Sequence, residues 1–382
     1  MQKIKVGING FGRIGRAFLK LAINRPEIEI VAINDLGDAE NLAYLLKYDT
    51  VYGKSDLRVE AGSSATLGAG NGSLNVNGHK VSFFREKEPA KIPWSNALVD
   101  IVVESTGFFE SYEKARGHLE GGAKRVVISA PFKESRSRTD PSSRAKLTTG
   151  HGADLTPVAE QSSLRGTTQT DAEGETVLVG VNEDKLQSCQ VSSNGSCTTN
   201  AASPIISILN ESLGIEKAIL NTVHAYTATQ KIVDGPDADD FRRGRAGGQN
   251  IVPSTTGAAI AVTRAITGLS GKFDGIALRV PVAIGSIADI TFVSGRDTTV
   301  EEVNNILRKA AEEDRWKGIF TVTEEQVVSS DIVGDTHASI ADLSFTKVVG
   351  GNLVKVLAWY DNEMGYANTL VEHVIRAGEY LK

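Results

Sequence analysis

The sequence predicts an α/β chain in two parts: a doubly wound βαβ part first, then an α+β part on a largely antiparallel or mixed sheet. Three observations carry this. A buried strand opens the chain and runs into a glycine-rich turn and a helix. A lone cysteine in a polar run later opens a second apolar helical pattern. Beyond it, longer strands alternate with amphipathic helices.

The bulk numbers fit. At 382 residues the chain is long enough for two sizeable cores. Hydrophobic residues make up 41% and charged residues 23%, ordinary for a globular protein. A net charge of −6 argues against a nucleic-acid partner. No apolar run approaches the length of a membrane span, and no signal-peptide pattern precedes the first strand. Cys189 and Cys197 are too few for a disulfide framework or a metal cluster. A reducing, cytoplasmic location is therefore expected, and no metal.

In order, residues 3–8 read as a buried strand, 16–23 as a helix and 28–33 as a second strand ending at Asn34-Asp35. Between the first two lies Gly10-Phe11-Gly12-Arg13-Ile14-Gly15, with an acid 20 residues past Gly15. In that context the glycines are a dinucleotide fingerprint, and the first part is a Rossmann-type dinucleotide-binding domain. Gly10 permits the tight turn, Gly12 lets the backbone approach a pyrophosphate, and Gly15 lets helix and strand pack. The pyrophosphate would cap the helix N-terminus. Asp35 would accept hydrogen bonds from the adenosine ribose, and its charge would repel a 2′-phosphate. NAD rather than NADP is expected.

A helix over 38–48 follows, then hairpins over 55–84 with Asn77-Gly78 as the clearest turn. Residues 98–103 read as a strand, 111–120 as a helix closed by two glycines, and 125–128 as a strand. Ligands of open α/β sheets lie beyond the strand carboxyl ends, which puts Thr106 and Ser129 beside the cofactor or in ordinary turns there. Residues 132–176 then lose all periodicity, turning rich in Ser, Thr, Arg and Gly. A structureless stretch of this length is uncommon inside a domain. It reads as a flexible loop, a flap over the cofactor or an arm on a neighbouring subunit.

Residues 177–182 resume as a strand. Helical periodicity follows Cys197 as far as Leu213-Gly214. The helix N-terminus should favour a thiolate at Cys197. Further strands are expected over 215–223, 275–280, 286–293 and 353–359. Helices are expected after Thr255-Thr256-Gly257 to Ile266, over 299–313 and over 365–381. A polar loop spans 227–253. The domains are thus drawn as 1–196, with the insertion at 132–176 and a closing helix at 363–382, and 197–362.

Ser196-Cys197-Thr198-Thr199-Asn200 and His224-Ala225-Tyr226-Thr227-Ala228-Thr229-Gln230 resemble the phosphorylating glyceraldehyde-3-phosphate dehydrogenase family. So do Asn9 to Arg16 and Trp359-Tyr360-Asp361-Asn362-Glu363, and the likeness covers nearly the whole chain outside the insertion. It implies NAD-dependent oxidation of glyceraldehyde 3-phosphate with capture of inorganic phosphate, in a homotetramer, as in glycolysis. Cys197 would form the thiohemiacetal and then the thioester, with His224 as base.

Arg279 is a charge in an apolar strand, fit for a phosphate or for a buried ion pair. By resemblance it grips the substrate phosphate with Thr227. Ser196, Thr198, Thr256, Gly257 and Arg242 match positions for the attacking phosphate, and Thr256-Gly257 is a natural anion site at a helix start. The run around Arg242 is also a candidate solvated loop or subunit contact. Arg13, Ile14, Asp35, Ser129 and Asn362 match cofactor positions, as does Lys87 where the family usually has arginine. Ala201 stands where a second cysteine is common. An erythrose-4-phosphate dehydrogenase, or a non-catalytic binder on this fold, is the competing reading.

Overall fold

The computed structural model describes residues 3–63, 72–132, 174–238 and 240–381. Residues 133–173, nearly all of the insertion, lie outside them, and so do the three readings offered for it.

The first sheet takes nine strands in the order β10-β11-β9-β8-β1-β2-β7-β6-β5. Its parallel centre is β1 (Ile4–Asn9), β2 (Ile28–Asn34), β8 (Ile101–Glu104), β9 (Arg125–Ile128) and β11 (Val191–Ser193). The edge on one side is the antiparallel run β5 (Val59–Ser63), β6 (Gly72–Val76) and β7 (His79–Phe84), whose last strand pairs parallel with β2. The other edge is the two-residue β10 (Glu175–Thr176). β3 (Tyr48–Asp49) and β4 (Gly53–Lys54) form a small separate ribbon. Central strands read almost wholly apolar because both faces are covered. The helices are α1 (Arg13–Ala22), α2 (Ala39–Lys47), α3 (Tyr112–Ala115) and α4 (Gly117–Glu120).

The second sheet has seven strands in the order β13-β14-β12-β15-β18-β17-β16. They are β12 (Ile215–Ala225), β13 (Val252–Thr255), β14 (Phe273–Val280), β15 (Ser286–Ser294), β16 (Phe320–Thr323), β17 (Ser339–Val349) and β18 (Leu353–Tyr360). It is mostly antiparallel, with parallel pairs β12–β14 and β16–β17. α5 (Cys197–Leu213), α6 (Ala258–Ala265) and α7 (Val300–Ala311) supply apolar faces to its core. α8 (Met364–Gly378) returns to the first core, laying Leu370, Val371, Val374 and Ala377 there beside α1.

Several expectations need correcting. The first helix starts at Arg13, three residues early, directly after Gly12, which stands as its N-cap in an extended conformation. The strand expected from Leu98 starts at Ile101; Leu98 itself sits at φ 56°, a left-handed turn conformation. The helix over 111–120 is two single turns, with Ser111 capping the first. Residues 177–182 are a buried turn, not a strand. The Asn182 side chain accepts from the Leu178 N–H and donates to the Thr176 carbonyl, folding the segment back on itself. β16 and β17 were not expected at all. The register of β17 against β18 shifts between Asp342 and Lys347, which breaks its alternation. The turn at Asn77-Gly78 has both residues at positive φ, as a two-residue hairpin requires.

Candidate functional site

Cys197 is the first residue of α5. The Ser196 side chain caps that helix, accepting from the Thr199 N–H at 3.1 Å. The polar run before it is pinned from behind by α8. Tyr366 donates to the Gly195 carbonyl, and Asn194 donates to Thr369 while accepting from His373. A cysteine so held cannot drift from its partner.

That partner is His224, whose Nε2 lies 3.3 Å from the Cys197 Sγ. His224 stands near the end of β12, and its register partner on the adjacent parallel strand β14 is Arg279. The sheet register therefore brings the two side chains together. Arg279 Nη1 lies 2.6 Å from His224 Nδ1 and 3.3 Å from the Ala225 carbonyl, while the Ala225 carbonyl is 2.7 Å from Nδ1. Behind the ring, Tyr360 packs edge-on at 5.9 Å, its hydroxyl shared with Thr198 and Thr222.

The electrostatics differ from the expectation of a ready thiolate. Burial pushes the Cys197 thiol up, and the Arg279 charge and the N–H groups at the helix start only partly offset it. Burial, reinforced by the Arg279 charge, holds His224 down to about 3. Burial thus disfavours the charged form of each partner, the thiolate and the imidazolium alike. Arg279 is itself lowered, by burial first and partly by the charge of Arg243. Its Nε is buried with no hydrogen-bond partner among the described residues.

The other expected anion-site residues divide. Ser196 already serves as the helix cap. The Thr198 hydroxyl is turned into the core at Tyr360, 2.9 Å away, and its backbone N–H is directed at the Cys197 sulfur. Thr227 closes a local turn on Gln230 and Thr229. Thr256 Oγ1 accepts from the N–H of Ala258, the first residue of α6 after the N-cap Gly257. Arg242 lies outside the group: it is exposed and its guanidinium is paired with Asp240. Its neighbour Arg243, half-buried and near enough to act on Arg279, takes no carboxylate among the described residues. The two adjacent arginines thus differ in surroundings, Arg242 on Asp240 and Arg243 closer to Arg279.

At the first sheet, a Cβ on Gly15 would drive into the Gly10 carbonyl, and Gly10 itself has φ 91°. Around Gly12 a Cβ would meet nothing within 4 Å, so that backbone faces open space. No side chain caps α1. Its first N–H groups, at Arg13 and Ile14, are available to an anion. A pyrophosphate fits this cradle. Asp35 accepts from the Phe11 N–H at 2.6 Å and the Gly37 N–H at 2.7 Å, so it also braces the glycine turn.

The Arg13 side chain is committed elsewhere, to Glu363 and Asp49. Against the pull of burial, these partners raise its proton affinity. Thr106 folds onto Glu104 beyond β8, and Ser129 follows the last residue of β9. Lys87 is exposed beyond β7. The Asn362 Oδ1 accepts from the Ser286 hydroxyl at 3.0 Å, and that hydroxyl accepts from the Ala225 N–H at 3.1 Å, so Asn362 is tied to the base's own strand.

Two family models match this chain. The one described as glyceraldehyde 3-phosphate dehydrogenase, NAD binding domain, covers residues 4–112; its C-terminal domain counterpart covers residues 196–362. Among curated relatives, glyceraldehyde-3-phosphate dehydrogenase of Streptomyces coelicolor is 42% identical over 381 residues, covering 99% of each chain. Glyceraldehyde-3-phosphate dehydrogenase 1 of Bacillus subtilis is 43% identical over 371 residues, covering 97% of this chain and 96% of its own. That of Kluyveromyces lactis is 41% identical over 375 residues, covering 97% and 99%. With both halves matched and the likeness running the length of the chain, this protein belongs to the glyceraldehyde-3-phosphate dehydrogenase family.

Proposed function

We propose the following division of labour for a chain whose activity is that of an NAD-dependent glyceraldehyde-3-phosphate dehydrogenase of glycolysis. The observation that carries it is the contact of Cys197 with His224, in strand register with Arg279. Cys197 Sγ adds to the aldehyde carbon of glyceraldehyde 3-phosphate, and the thiol proton passes to the new hydroxyl by way of His224. NAD, held in the Gly10–Gly15 cradle, would supply the acceptor for the hydride lost from that carbon. His224 Nε2 takes the hydroxyl proton in the same step, leaving a thioester on Cys197. Inorganic phosphate attacks the thioester, the thiolate leaves and recovers a proton from His224, and the acyl phosphate departs.

Arg279 and Thr227 hold the substrate phosphate. The N–H of Thr198 at the α5 terminus, Ser196, Thr256 and Gly257 receive the attacking phosphate, with Arg242 or its neighbour Arg243 as the arginine. Gly10, Gly12, Gly15 and the N–H groups of Arg13 and Ile14 cradle the pyrophosphate of NAD. Asp35 faces the ribose, and Thr106, Ser129 and Asn362 line the rest. Lys87, exposed, has the weakest claim. We read the nucleotide part as residues 1–196 with the closing helix, and the catalytic part as 197–362.

A homotetramer is part of this reading. The 227–253 loop leaves Ile232, Val233, Phe241 and Ile251 exposed, and a subunit contact would cover them. Light scattering on the purified protein measures it.

The central test is NADH absorbance with glyceraldehyde 3-phosphate or erythrose 4-phosphate, with and without inorganic phosphate. Phosphate-dependent turnover favouring the three-carbon substrate is expected. A preference for the four-carbon sugar, or no turnover, would defeat the reading. Comparing kcat/KM for NAD and NADP tests Asp35.

A further inference from the structure

Asp361 is fully buried, and the groups that meet its carboxylate are neutral donors. The Tyr52 hydroxyl donates to it at 2.9 Å, the Gly334 N–H at 2.8 Å, and the N–H groups of Glu363 and Met364 at 2.9 Å each. Burying a carboxylate costs free energy that hydrogen bonds must offset, so each of these donors matters.

What the cluster encloses is Asn362. Both of its chain neighbours are fastened: Asp361 by Tyr52 and Gly334, and Glu363 by its ion pair with Arg13 at the start of α1. The Asn362 Oδ1 accepts from Ser286, while its Nδ2 has no partner among the described residues. The asparagine is thus held by its backbone and one oxygen, with an amide donor to spare for a ligand.

Tyr52 reaches this cluster from far off in the chain. It lies in the turn between β3 and β4. Asp49 fixes that turn, accepting from the Val51 and Tyr52 N–H groups at 2.9 and 3.1 Å. The Arg13 guanidinium sits over the Tyr52 ring, 5.9 Å from its centre. The hydroxyl therefore meets Asp361 from a preset position.

From these contacts we infer that Tyr52 is a positioning residue for the nicotinamide end of NAD. Its hydroxyl fixes the Asp361 carboxylate, Asp361 fixes the backbone on either side of Asn362, and Asn362 presents Nδ2 to the carboxamide oxygen. This rests on the reading of Asn362 as a cofactor residue.

ADP-ribose separates the possibilities, because it keeps the adenosine, the pyrophosphate and the second ribose of NAD but lacks the nicotinamide. In calorimetric titrations of the purified protein, Tyr52→Phe should weaken NAD about tenfold and leave ADP-ribose within about twofold. Unchanged affinity for NAD would overturn the proposal. So would equal weakening of both ligands, which would put the effect of Tyr52 at Arg13 and the pyrophosphate. Asn362→Ala checks the reading beneath and should show the same split. If Asn362→Ala weakens both ligands alike, or neither, Asn362 is misassigned and the proposal falls with it. Should Tyr52→Phe not fold, 3-fluorotyrosine at position 52 takes its place. Its 19F signal should move with NAD and hold still with ADP-ribose, and the same response to both would sink the proposal.

Discussion

Two buried histidines in this molecule have opposite surroundings. His118 sits in the first core, fully enclosed, with Trp94 Nε1 donating to its Nδ1 at 3.0 Å and its own Nε2 donating to Glu104 at 2.9 Å. Glu104 also accepts from Asn9 and from the Thr106 N–H. Every group in that cluster has one fixed role, because an indole only donates and a carboxylate has a single ring hydrogen to take. His224 instead has the Ala225 carbonyl and the end of the charged Arg279 side chain at its Nδ1, and the Cys197 sulfur at its Nε2. Burial alone makes neither ring reactive. A nucleophilic sulfur 3.3 Å from Nε2, in place of a carboxylate, distinguishes the second from the first.

The largest break in that comparison comes from the sulfur. Cys197→Ser should lower aldehyde oxidation by at least about 10³-fold while NAD binding, followed by fluorescence titration, stays near wild type. Activity within tenfold of wild type would remove Cys197 from its role. His224→Asn should cost about 10²–10⁴-fold in kcat with little loss of thermal stability. His118→Leu should do the reverse. It strands the Trp94 N–H and one hydrogen bond of Glu104, costing about 3 kcal/mol in urea unfolding, with kcat of the folded enzyme kept. A kcat collapse there would mean the cluster is more than structural.

The smallest effect lies in acid. His224 and His373 are each held down to about 3, by burial first, with neighbouring arginine charge second. The unfolded chain protonates both near pH 6.5, while the folded one stays neutral. Stability is therefore undiminished above pH 6.5 and declines towards pH 3, by up to about 1.4 kcal/mol per pH unit for each ring. His373→Gln should flatten the slope of unfolding free energy by close to one proton between pH 5.5 and 4.5. Equal slopes would show that His373 is not held neutral.

Local patterns made much of this legible in the sequence. The Gly10–Gly15 turn, the cap at Ser196 and the stop at Gly214 are each written within a few residues. The apolar run around Arg279 flagged a charge needing an explanation. What was not legible depends on tertiary register. That Arg279 faces His224 follows from the pairing of β12 with β14, which no motif spells out. β17 was invisible because its shifted register and its polar residues Ser344 and Lys347 interrupt the alternation. The different surroundings of Arg242 and Arg243 were hidden too, since only the loop's fold puts one on Asp240 and the other nearer Arg279. The direction of the Thr198 hydroxyl, into Tyr360, was likewise hidden.

The packing of α8 against α1 has a consequence for synthesis. The apolar face of α1, including Phe18, Leu19 and Ala22, belongs to a core whose last members, Leu370 to Ala377, come more than three hundred residues later. At about 5–20 residues per second, a ribosome takes roughly 20–70 s to bridge that interval. The half of the molecule that is begun first is completed last. Meanwhile its open face is an address for chaperones, and a transcript cut short anywhere before Leu370 yields a nucleotide half that is sticky rather than merely inactive.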